Sequence, residues 1–142
     1  MPHSTKIRVR GYHCDYYGHV NNARYLEMLE EARWQYTETG MDLSYWEDRG
    51  LGFVVAAVNI NFKRPASPGM DLEILTQTTK LEGRSGIIHQ EIINSGNGKT
   101  VVVADITFAV IDMKTGRAVN MEGEVLAGFE KIREADQQRD GS

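Results

Sequence analysis

The 142 residues are 41% hydrophobic and 25% charged, with a net charge of −4 and one cysteine, Cys14. These values fit a single globular domain over residues 1–142, and they count against a broad nucleic-acid surface, an internal disulfide or a zinc cage. The longest apolar run, 53–58, falls well short of the roughly 20 residues of a membrane span, and the start of the chain lacks the apolar stretch of a secretory signal, so a cytoplasmic protein is expected.

Residues 6–12 alternate charged and apolar side chains, with Ile7 and Val9 on one face, which predicts a half-buried strand. A polar turn follows over 13–21. From Asn22 the period lengthens: Tyr25, Met28, Leu29, Ala32 and Tyr36 recur at three- and four-residue intervals, giving a helix that Gly40 ends. Either Asn21 or Asn22 can supply its N-cap. Ser44 with Glu47 forms a capping box for a short helix over 45–49.

The remainder reads as strand. Between 53 and 64 the apolar positions are Val54, Ala56, Val58, Ile60 and Phe62, and Pro65 breaks the run. Further strands are expected at 71–81, 85–94 and 100–112, with a hairpin at KTG leading to a short strand near 117–120. Residues 122–135 suit a surface helix with Val125, Leu126, Phe129 and Ile132 on one side, and the chain end is expected to fray. Strands joined by short turns pair antiparallel and keep one apolar face. The simplest α+β arrangement is a curved antiparallel sheet wrapped around the long central helix.

The turn and helix start carry D-x-x-G-H-V-N-N-x-x-Y, formed by Asp15, Gly18, His19, Val20, Asn21, Asn22 and Tyr25. This pattern closely resembles the hotdog acyl-CoA thioesterases of the 4-hydroxybenzoyl-CoA thioesterase type, and more narrowly their bacterial long-chain members. The likeness continues through NINFKRPA at 59–66, GRSG at 83–86 and VVVADITFAVIDMKTG at 101–116. It implies the hotdog fold, hydrolysis of medium- to long-chain acyl-CoA, no cofactor or metal, and a homodimer that assembles into a homotetramer. The active sites would lie between subunits.

Thioester hydrolysis needs a nucleophile or base and a means of holding charge on the carbonyl oxygen. By the resemblance Asp15 fills the first role, attacking directly or activating water. The N–H at or near Asn22 fills the second, aided by the helix dipole. Gly18 permits a positive φ, and His19 orients the site or touches the thioester. Lys63, Arg64, Arg84 and Ser85 match stretches that contact the nucleotide in the family, where forks and hydroxyls suit phosphate oxygens. Leu29, Trp34, Tyr45, Trp46 and Phe53 are candidates for an acyl slot.

Plainer readings stand beside these. Asp15 can simply cap local backbone, His19 can bond a main-chain group, and Tyr25 suits the core or pocket wall better than an acid's role. Cys14 points opposite Asp15 in strand alternation, with no partner histidine fixed by sequence. Two other classes share the fold: a 3-hydroxyacyl thioester dehydratase or hydratase, and a non-catalytic acyl-CoA binding module. The intact motif disfavours both.

Overall fold

Strict alternation along residues 100–112 makes the strand at the heart of the core. Val102, Ala104, Ile106, Phe108 and Val110 are all buried, because a period of two sends them to one face. The structure is a computed structural model. It describes residues 2–40 and 43–140, apart from the side chains at 43, 45, 135 and 137–140. In chain order the elements are β1 (His3–Arg8), α1 (Asn22–Gly40), α2 (Leu43–Asp48), β2 (Leu51–Phe62), β3 (Asp71–Glu82), β4 (Ser85–Asn94), β5 (Thr100–Asp112) and α3 (Gly123–Asp140).

The strands form one antiparallel sheet in the order β1-β3-β4-β5-β2. Register shifts at Val55/Ala57, Thr78/Lys80 and Ile92/Ile93 interrupt the ladders. Such bulges bend a strand and increase its twist, which curls the sheet around α1. The helix buries the predicted stripe of Tyr25, Met28, Leu29, Ala32 and Tyr36. Gly86 lies beneath Phe108: a Cβ there would run into the Phe108 ring and the Lys80 carbonyl.

The architecture is the expected α+β hotdog, but several elements differ from expectation. Strand β1 spans His3–Arg8 rather than 6–12, because Gly11–His13 closes a single 3₁₀ turn. Helix α2 covers Leu43–Asp48, so Ser44 lies inside it rather than at its N-cap. The strand near 117–120 reduces to a bridge between Ile111 and Ala118. In β2 the bulge switches faces: Phe53 and Val55 share the core side with Val58, Ile60 and Phe62, opposite Val110, Phe108, Ile106, Ala104 and Val102.

Helix α3 runs over Gly123–Asp140, past the expected end at 135, and lays the predicted side of Val125, Leu126, Phe129 and Ile132 on the core. Phe129 packs between Phe108 and Trp46, with ring centroids 4.8 and 5.5 Å away. Further along, the Tyr36 hydroxyl donates to Asp136 Oδ2 at 2.7 Å and accepts from the Thr78 N–H at 3.0 Å. This buried network joins α1, α3 and β3.

Candidate active site

Asp15 opens a tight turn held by its own polar atoms. Its N–H donates to the His19 carbonyl (2.8 Å), and its carbonyl accepts from the Gly18 N–H (3.0 Å). Its Oδ1 accepts from the Tyr17 N–H (2.9 Å). Gly18 has φ of 77°, a left-handed conformation that glycine adopts without steric cost. The carboxylate is solvent-exposed, and no described group bonds Oδ2.

Asn21, rather than Asn22, is the N-cap of α1. Its Oδ1 accepts from the Ala23 N–H at 2.9 Å, and its own N–H is fixed to the His13 carbonyl at 2.9 Å. The Arg24 N–H already points to the Asn21 carbonyl. Asn22 therefore presents a backbone N–H for which no described acceptor is present, at the positive end of the helix dipole. A carboxylate and an open donor thus flank one helix start.

The other motif residues have different standing. The exposed His19 imidazole makes no hydrogen bond to a described residue. Tyr25 is buried, packs on Phe62 with ring centroids 5.6 Å apart, and its hydroxyl accepts from the Ala66 N–H at 3.2 Å. Burial raises its pKa, so it serves as a wall and strut beneath the turn. His13 also holds the turn in place: its Nδ1 accepts from the Arg10 N–H at 2.8 Å. Burial first, then the charges of Arg24 and Arg10, lower its pKa and favour this neutral, accepting form. Nothing in its sequence context marks that role.

The four phosphate-contact candidates do not gather within one chain. Lys63 and Arg64 follow β2 and are tied to Val101, next to the turn that Ala66 shares with Val20. Arg84 and Ser85 sit at the β3–β4 turn, where Arg84 Nε donates to Asn120 at 3.2 Å. Seven residue steps along β5 separate Val101 from Phe108, roughly 23 Å at 3.3 Å each. Lys99, a residue the sequence reading passed over, joins Arg64 instead, lining a cavity of about 250 Å³ with Asn94 and Asn97. Its only signal was a lysine closing a glycine-rich turn.

A larger cavity, about 440 Å³, lies along the distal half of α1, lined by Trp34, Trp46, Leu51, Phe53 and Val55, among others. Three of the five proposed acyl-slot residues are there. Leu29 is instead fully buried core, and the Tyr45 side chain lies outside the described residues. Among the described residues no helix is long and apolar enough to cross a membrane.

An open backbone donor at a helix start, a carboxylate in the turn before it and a curled antiparallel sheet define a class, and comparison with known proteins names it. Residues 9–129 match the thioesterase-like superfamily model, and the chain belongs to that family. It is 46% identical over 128 residues to the long-chain acyl-CoA thioesterase FadM of Escherichia coli K12, covering 90% of this chain and 97% of that protein. The crystal structure of the probable thioesterase YbaW from Escherichia coli superposes with a TM-score of 0.86 at 46% identity, covering 91% of this chain and 97% of that one. A 1,4-dihydroxy-2-naphthoyl-CoA thioesterase from Synechocystis shares the fold, with a TM-score of 0.79 at 16% identity over 92% of this chain and 93% of that one. The expected thioester hydrolase is thus met at the level of family.

Proposed function

We propose that the protein hydrolyses medium- to long-chain acyl-CoA to a free fatty acid and CoA, as a single-domain cytoplasmic enzyme. The observation that carries this reading is the Asn22 N–H, left open by the Asn21 cap, seven positions after the exposed Asp15, whose Oδ2 no described group bonds. Asp15 either attacks the thioester carbonyl or takes a proton from the attacking water. The carbonyl oxygen gathers negative charge and is held by the Asn22 N–H at the helix start. Collapse breaks the C–S bond and expels the CoA thiolate, leaving the free acid where water attacked, or an Asp15–acyl anhydride that water then hydrolyses to the acid and free Asp15. Loss of one such oxyanion donor costs about 100- to 1000-fold in rate.

The CoA phosphates contact Lys63, Arg64 and Lys99 of one chain and Arg84 and Ser85 of a second copy. This sharing suits a homodimer, the building block of a homotetramer, and supplies in trans the cations that one chain keeps at opposite ends of its sheet. His19 and Gly18 shape the thioester pocket, and Tyr25 braces it.

The deciding experiment is CoA thiol release from acetyl- through palmitoyl-CoA plus one aromatic acyl-CoA, for wild type and Asp15→Asn. Release should depend on chain length and fall by about 100-fold or more in the variant. Full activity in Asp15→Asn would return Asp15 to the role of a turn residue. Folded protein that releases no thiol from any thioester would end the hydrolase reading.

A further inference from the structure

Arg33 stands in the larger cavity, where most of the walls are apolar. Eleven residue steps along α1 separate it from Asn22, roughly 16.5 Å at 1.5 Å per step. It therefore lies well away from its own chain's helix start. The residue that fixes it is Gln90, which is fully buried. Gln90 Nε2 donates to the Leu29 carbonyl (3.0 Å) and to Thr76 Oγ1 (3.1 Å), so the carboxamide cannot turn. Its Oε1 is thereby aimed at Arg33 Nη1, 3.1 Å away.

This neutral acceptor is the one hydrogen-bond partner Arg33 has among the described residues, and no described carboxylate lies within ion-pair distance of it. A guanidinium carries five N–H donors in a rigid fork and stays protonated. Glu30, one turn back, attracts it but is not within ion-pair distance, so holding the guanidinium half-buried beside Trp34, Trp46 and Phe53 costs free energy that an anionic acceptor in the cavity would recover. Glu30 and Glu47 also line the cavity, but both are solvent-exposed, where water and salt screen them.

We propose that this cavity is a receptor for an aliphatic carboxylate, its chain lying on Trp34, Trp46 and Phe53 and its two oxygens on the Arg33 fork. The proposal rests on the acyl-CoA reading for the origin of the ligand. That ligand is either the fatty acid released by hydrolysis or a carboxylate at the far end of the substrate's acyl chain.

Trp34 and Trp46 are the two tryptophans of the chain, so intrinsic fluorescence reports on the cavity directly. The intact protein is titrated with dodecanoate and with dodecan-1-ol, below their aggregation limits. Dodecanoate should bind about tenfold more tightly or better, as a charged bidentate pair allows. Arg33→Met should remove that preference and leave dodecanol binding unchanged. Equal binding of acid and alcohol by wild type would overturn the proposal without any variant, as would a preference that survives Arg33→Met. If Arg33→Met does not fold, Arg33→Lys replaces it: a reduced preference for the acid supports the fork, and an undiminished one overturns it.

Kinetics separates the two origins. A lower KM for dodecanedioyl-CoA than for dodecanoyl-CoA, lost in the Arg33 variant, assigns the distal carboxylate. Competitive inhibition by dodecanoate with equal KM values assigns the product. Neither pattern in an enzyme that releases thiol overturns the proposal. Absence of thiol release from every thioester condemns the hydrolase reading instead, and the titration alone then decides the receptor.

Discussion

Asn21 determines which backbone donors remain at the start of α1. Its side chain consumes the Ala23 N–H and leaves that of Asn22. Asn21→Ala is expected to cost about 1 kcal/mol in urea unfolding, and Asn21→Ser much less. Thiol release at temperatures where both variants are folded should fall for Asn21→Ala and persist for Asn21→Ser. Equal rates would separate the cap from the chemistry. The motif was legible in sequence because polar turn residues immediately before a helical period have few structural outlets. The choice between Asn21 and Asn22 was not. Two identical side chains compete for one cap, and a backbone bond to His13, eight positions back, settles it.

At the scale of elements, β4 and β5 are joined outside the core by a cluster the sequence did not mark. His89 sits directly across from Asp105, with Nδ1 2.8 Å from Oδ1, and its Nε2 lies 3.4 Å from Glu91. Burial pulls its pKa down, but the hydrogen bonds to Asp105 and Glu91 outweigh that and raise it above the usual 6.5. The folded state thus favours the imidazolium. Its contribution is complete below about pH 6.5 and is lost as pH rises through the higher folded value. Urea unfolding of wild type against His89→Gln from pH 5.5 to 8.5 should show a wild-type margin that shrinks as pH rises. A margin independent of pH would mean that the cluster does not titrate with folding. The existence of β1 to β5 was readable, because alternation survives in a local window, although the strand expected near 117–120 is only a bridge. Face was not: the bulge at Val55/Ala57 adds one residue, and nothing in VVAAV shows where. The packing of α3 depends on Phe129 meeting Phe108 and Trp46, contacts between distant parts of the chain.

Over the whole molecule, the two edges of the sheet are unlike. Strand β2 is twelve residues long and lies at one edge, with Val55, Val58 and Phe62 each 41–44% exposed. At the other edge β1 has six residues, with Lys6 and Arg8 exposed and Arg8 paired to Asp71 at 2.8 Å. A long apolar edge invites another strand, whereas a short charged one discourages it. Val58→Glu places a charge on a side chain already open in the single chain, so it should spare the fold. Light scattering should then show monomer in place of the proposed dimer, with thiol release falling alongside. A dimer that survives the change puts the interface elsewhere. In polymer terms each chain is monofunctional, with one reactive end and one blocked end. Units of that kind would couple once through their sheet edges and stop there, so the proposed dimer would close as a pair along the sheet rather than extend into a fibril.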